Sequence, residues 1–359
     1  MAIRLNRATV FIGRVIGFEQ PPIEGPSAKE ISERAFAHHN GRVQLPHSIR
    51  VQIENRAAEL PFAVLKKAVG ELSDHYRGAS GTATIPLMAK HKALAYLTTR
   101  MPATFAAAHA VLTEVASRID APVSVLDLGA GTGAASLAAL AVYPDLESLT
   151  LLDTDSALLS EAKTLLPLAD FIQTGLPAFA NLPEADIVVA CYTLGELKDG
   201  EREVVIERAW AAARTALIIL EPGTTRGFKN VLAMREQVLA AGGHMIAPCP
   251  HEGGCPVHSP DWCHFAQRVE RTSLHRRLKD GELGYEDEKF SYVALSKRPV
   301  KPAPARIIRR PVHQSGFIDL TLCQGASTGT VRITKREKAL FRAARHSNWG
   351  SAWVPISED

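Results

Sequence analysis

The stretch VLDLGAGTG, residues 125–133, decides how the rest of the chain is read. A short apolar run, Val123–Leu128, leads directly into Gly129, Gly131 and Gly133. A run of that length is expected as a buried strand. Glycines at alternate positions let the chain turn sharply and let a ligand approach bare backbone. The N-terminus of the following helix offers unpaired N–H groups to an anionic part of that ligand. A lone G-x-G-x-G also suits a dinucleotide. Two acids narrow the choice. Asp127 stands two residues before the first glycine. Asp153 ends the next apolar run, where a carboxylate can accept both hydroxyls of a ribose.

Outward from this turn, Leu149–Asp153, Asp170–Gln173, Asp186–Ala190 and Ala216–Glu221 are further strand candidates, with helical stretches between most of them. That alternation implies an α/β fold with a parallel sheet covered on both faces. With the acid-flanked glycine turn, it points to a class I S-adenosylmethionine-dependent methyltransferase fold, Rossmann-like and seven-stranded. Lys289–Leu295 and Phe317–Cys323 are expected as its sixth and seventh strands. Before the turn, Leu60, Val64, Leu65, Ala68 and Leu72 recur at helical spacing, and Ala89–Thr99 and Thr104–Arg118 follow suit, with Pro102 suited to a helix start. The expected organisation is an extension over residues 1–43 with a linker, PPIEGP, at 21–26, and a helical region over 44–120. A methyltransferase-like domain over 121–330 follows, with a cysteine-rich insertion at 244–280 before strand six. A basic tail, 331–359, completes the chain.

The 359 residues are 46% hydrophobic and 22% charged, a globular balance with no apolar run long enough to span a bilayer. Net charge is only +3, but Lys297, Arg298, Lys301, Arg306, Arg309 and Arg310 cluster without an acid. Arg332, Lys335, Arg336, Lys338, Arg342 and Arg345 follow with only Glu337 among them. Such a region suits a polyanion such as RNA, or is simply a solvated basic face. Arg4, Arg7 and Arg14 precede the first acid, Glu19, but the segment lacks serine and a cleavage signal. The reading is a bacterial cytoplasmic protein, or a mitochondrial matrix protein in a eukaryote, monomeric off its partner.

The acceptor side is less legible. The fourth strand ends Val188-Val-Ala-Cys191-Tyr192-Thr, without the Asn/Asp-Pro-Pro-Tyr of base-nitrogen enzymes or a Pro-Cys nucleophile. No catalytic residue is assigned. Cys191 reads as a small residue lining the cofactor cleft, and Tyr192 as a contact for a base or for the methionine end.

Cys249, Cys255 and Cys263 lie in the irregular segment PCPHEGGCPVHSPDWCHF, with Cys323 far downstream. A metal centre can hold such a loop, because its binding energy becomes folding energy. Four thiolates at irregular spacing suit a four-iron (4Fe-4S) cluster. Tetrahedral zinc is the alternative, with His251, His258 or His264 in reserve. If the insertion starts where the helix after strand five ends, and Cys323 ends an antiparallel strand seven, all four meet at the sheet edge opposite the cofactor. That would exclude radical chemistry, in which the cluster touches the sulfonium.

At these residues the chain resembles the methyltransferase-like proteins associated with the small ribosomal subunit. The matching stretches are YLTTRMPATF (96–105), VLDLGAGTG (125–133), LEPGT (220–224), APCPHEGGCP (247–256), WCHF (262–265), YEDEKFSYVALSK (285–297), LTLC (320–323) and WG (349–350). The resemblance implies a role in assembly or translation on the small subunit, contact with its rRNA, and a four-iron cluster on Cys249, Cys255, Cys263 and Cys323.

Overall fold

The computed structural model describes residues 42–78 and 90–354. The N-terminal arginines and the PPIEGP linker lie outside the described residues. The helical region opens with a two-residue strand, β1 (Arg42–Val43), followed by α1 (His47–Ala58), α2 (Phe62–Gly78), α3 (Lys90–Thr99) and α4 (Met101–Ala116). Helix α4 is alanine-rich, carries Pro102 in its first turn where a missing N–H costs nothing, and is buried along most of its length. It packs against α5 and against the sheet.

The central unit runs β2 (Ser124–Leu128), α5 (Ala134–Val142), β3 (Ser148–Asp153), α6 (Ser156–Leu165), β4 (Asp170–Gln173), β5 (Ala185–Cys191), α7 (Asp199–Ala212), β6 (Ala213–Pro222), α8 (Thr225–Ala240), β7 (His244–Ala247), β8 (Phe265–Glu270), α9 (Ser273–Leu278) and β9 (Tyr285–Ser296). Its strands lie in the order β4-β3-β2-β5-β6-β9, with β7 and β8 both on the far side of β9 and β1 beyond β8. Strands β2 to β6 are mutually parallel and β9 is antiparallel to β6. Strand β2 is buried at every position, as a strand covered on both faces must be.

Strands β7 and β8 share one lane. Strand β7 pairs with β9 from His244↔Ser296 to Ala247↔Ala294, and β8 resumes at Phe265↔Phe290. The sixth strand is therefore split, and residues 248–264 leave its middle and return near the carboxyl edge, where Phe290 also pairs with Pro222. This corrects the strand assignment made from sequence. Lys289–Leu295 belongs to the antiparallel seventh strand, and Phe317–Cys323 lies in another sheet altogether. The count slips because HMIA and FAQRVE, the two halves of strand six, are too short and too mixed to read as apolar runs.

That other sheet comprises β10 (Ala305–Ile307), β11 (Val312–His313), β12 (Phe317–Gln324), β13 (Ser327–Thr334) and β14 (Ala352–Trp353), with α10 (Lys338–His346) packed on it. Its pairings are antiparallel, and β12 and β13 form a hairpin that turns through Gly325 at φ +53°. Ile307, Ile318, Leu320, Leu322, Ile333, Ala344 and Trp353 form its own small core. The boundary expected between 330 and 331 falls inside β13.

Candidate cofactor and thiol sites

Gly129, Gly131 and Gly133 adopt φ of +66°, +55° and +79°, a region in which a side chain is strained. The turn is tied down on two sides. Gly129 N and Ala130 N donate to Leu152 O at 2.7 and 3.0 Å, and Gly131 N donates to Asp153 Oδ2 at 2.8 Å. From the other side Thr193 Oγ1 donates to Gly129 O at 3.1 Å, and a Cβ at Gly129 would overlap that threonine. Asp155 N donates to Asp153 Oδ1 at 2.8 Å. A carboxylate has about four acceptor positions, so Asp153 keeps acceptor capacity beyond its backbone donors.

Asp127 lies wholly beneath the turn rather than at its rim. Its Oδ2 accepts from Ser136 N and Oγ at 3.1 and 2.7 Å, which pins the start of α5 to the end of β2. Its Oδ1 has no partner among the described residues. Burial raises the carboxyl to about 7, against the pull of Ser136. Cys191 is buried at the end of β5, and burial holds its thiol well above its ordinary value, which leaves it a poor nucleophile. Tyr192 turns into the left-handed region at φ +59°. Its hydroxyl is buried, and burial followed by Glu288 pushes the phenol well up. Glu288 pairs with Arg100 at 3.5 Å. Glu221, at the end of β6, accepts from Gly195 N at 2.9 Å and is raised by burial to about 7. Sequence reasoning did not assign Glu221 to the site. The signal was present, since it closes an apolar strand as Asp153 does.

All four of the cysteines proposed as ligands line one cavity, together with residues of α8, β9 and β10. It encloses about 40 Å³, more than a single water needs. Cys249, Cys255 and Cys263 come from the split in strand six. Cys323 comes from β12 of the second sheet and packs with Val257, Ile308, Cys255 and Cys263. Among the described residues no group of three or more His, Cys, Asp or Glu side chains is arranged to hold a metal ion. Burial raises Cys249, Cys263 and Cys323, the last to about 12, and the neighbouring cysteines add to it. His251 Nε2 stands 4.0 Å from Cys323 Sγ. His264 instead stacks on Trp262 and meets the edge of Trp349.

The cysteines do converge, but at the flank of the sheet and not at its opposite rim. Strand β7 carries the chain back up to mid-sheet before Cys249, a step hidden by its shortness. From β2 to the split lane is four strand spacings, roughly 19 Å, so the thiols stand well away from the glycine turn. Two further groups at the cavity were not anticipated: Arg235, on the buried face of α8 with Val231 and Val238, and Arg306 of β10. An arginine in the apolar stripe of a helix was the sequence signal for the first.

The strand order, the antiparallel last strand, the glycine turn and the acid closing β3 define a class I methyltransferase fold. The chain belongs to the mitochondrial small ribosomal subunit Rsm22 family, whose model matches residues 90–354. It is 28% identical over 289 residues to the ribosome assembly protein METTL17, mitochondrial, of Homo sapiens, covering 72% of this chain and 61% of that one. It is 25% identical over 332 residues to Rsm22-cox11 tandem protein 2, mitochondrial, of Schizosaccharomyces pombe, covering 73% and 43%. The chain thus spans less than two thirds of the length of these relatives. Among solved structures, a putative RNA methyltransferase of Pyrococcus horikoshii overlaps 55% of this chain and 84% of its own at 14% identity and a TM-score of 0.35. Magnesium protoporphyrin IX methyltransferase of Synechocystis PCC 6803 with bound SAM covers 63% and 90% at 12% identity and the same score. No helix among the described residues is long and apolar enough to cross a membrane.

Proposed function

We propose that this chain is an S-adenosylmethionine-binding, methyltransferase-like assembly factor of the small ribosomal subunit that holds rRNA through its basic C-terminal sheet, with a four-thiolate iron–sulfur centre joining that sheet to the methyltransferase fold. The observation that carries this reading is the meeting of three cysteines from one sheet and one from the other at a single cavity. Family membership supplies the ribosomal context, and mitochondrial relatives support a matrix location in a eukaryote.

At the cofactor end, Asp153 would take the ribose hydroxyls and the bare backbone of Gly129 and Gly131 would receive the methionine portion. Cys191 and Tyr192 would line the cleft beside them. A sulfonium is already electrophilic, so positioning an rRNA nitrogen in line would suffice for transfer. A purely binding role is the second reading. It is favoured by Thr193, whose side chain already occupies the hollow over Gly129.

At the thiol end, four cysteines lining one cavity suit a four-iron cluster, with tetrahedral zinc the alternative. When bound, the centre supplies cross-linking between the two sheets.

The test is anaerobic purification with iron and sulfide analysis, calorimetry against S-adenosylmethionine, and tritiated-methyl transfer to immature small-subunit RNA. Iron, sulfide and cofactor binding with salt-dependent RNA binding support the proposal, and methyl incorporation chooses the enzyme over the binding role. A chain that takes neither iron nor RNA refutes it.

A further inference from the structure

Two cations are buried at the thiol cavity. Arg235 and Arg306 are each 2% or less exposed, among the largest fully buried side chains of the protein. Arg235 Nη2 donates to His251 O and Gly253 O at 3.1 and 2.8 Å, fixing the insertion between Cys249 and Cys255. Its Nε is buried with no hydrogen-bond partner among the described residues. Arg306 Nε donates to Pro248 O at 2.9 Å and Nη1 to Gly350 O at 3.0 Å.

Their carboxylate partners do not cancel them. Arg235 pairs with Glu236, which is half exposed and screened by water. Arg306 pairs with Glu114 at 2.5 Å, and Glu114 is shared with Arg118 at 3.0 Å. A surplus of positive charge therefore faces the sulfurs. Beside four neutral thiols, a buried guanidinium would be an uncompensated expense. Beside four thiolates on a doubly positive core, which leave a doubly negative centre, it is the missing partner. Arg235 also lies within hydrogen-bonding range of the Cys249 thiol.

We propose that Arg235 and Arg306 are the counter-cations of the four-thiolate centre, with Arg235 also giving its free N–H to the Cys249 sulfur. This rests on the iron–sulfur reading above. Hydrogen bonds to the sulfurs and nearby positive charge favour the more negative, reduced state. The pair thus sets the reduction potential and resists loss of the centre.

The experiment uses the full chain, reconstituted anaerobically with iron and sulfide, and follows the midpoint potential by EPR-monitored titration. Arg235→Gln and Arg306→Gln should lower the potential and speed iron loss to a chelator. Arg235→Lys should recover most of the potential. Glu236→Gln, whose carboxylate is half exposed and screened by water, should move it far less than either arginine substitution. Arg214→Gln, at the far start of β6, should leave it unmoved. A loaded, folded Arg235→Gln protein with the wild-type potential, or a Glu236→Gln protein shifted as far as the arginine variants, overturns the role of the arginines alone. Wild-type protein that takes up no iron and sulfide overturns the underlying reading with it.

Discussion

The sulfur of Cys323, on the second sheet, stands 4.0 Å from Nε2 of His251, which belongs to the insertion in the first. The thiol cavity is thus closed from both sides of a seam, and Arg306 crosses the same seam to Pro248 and Glu114. A centre bound there would act as a staple, and each ligand would report on a different unit.

Cys323→Ser should release the second sheet without unfolding the first. With the iron-loaded protein, hydrogen exchange across residues 305–353 is expected to quicken at least tenfold, about 1.4 kcal/mol, while β2 to β6 keep their protection. Equal loosening of both sheets would show that the seam is held by packing.

Gly129→Ala should damage the cofactor turn more than its volume suggests. The residue sits at φ +66°, and the new methyl would overlap Thr193. We expect about 1–3 kcal/mol of lost stability and a marked weakening of S-adenosylmethionine binding by calorimetry. Gly242→Ala has a similar φ of +83° but open space around it, so it should cost about 1 kcal/mol and leave binding intact.

Asp127 should make the fold less stable as pH rises. Its carboxyl is raised by burial to about 7, whereas the unfolded chain titrates near 4. Between these values the folded state holds the extra proton, so stability is present at the acid end and is lost as pH climbs through 7, at up to about 1.4 kcal/mol per unit. Asp127→Asn should flatten the slope of unfolding free energy between pH 5 and 8, as measured by urea denaturation. A slope that does not change would assign the pH dependence elsewhere, with Glu221 the next candidate.

The basic surface is best tested at Lys335, Arg336 and Lys338, which are exposed at the entry to α10. Arg309 and Arg310, in the other basic cluster, face Asp261 and Asp287. Replacing the three by alanine should weaken RNA binding and reduce the log–log salt slope by about 0.7 for each phosphate that is no longer neutralised. An unaltered slope would move the RNA to another face.

Much of this was legible in the sequence, for identifiable reasons. The glycine turn could be read because positive φ favours glycine. The parallel strands could be read because burial on both faces leaves an apolar run. Strand six could not, because an insertion divides it into HMIA and FAQRVE, neither long enough to carry a period. Cys323 was grouped with the three cysteines whose cavity it shares but given the wrong sheet, since cysteine spacing carries no topology. Asp127 was read as a ligand contact; its burial against Ser136 is a three-dimensional fact that no local pattern records. Arg235 looks like any helix arginine until Val231 and Val238 are seen on the same side.

The split lane also orders events during synthesis. Strands β7 and β8 are aligned only by β9, which follows them in the chain, and the last sulfur arrives later still, on β12. A nascent chain therefore carries the three insertion cysteines without the fourth until β12 has emerged. If the proposed centre forms, its four ligands are available together only once β12 has been made.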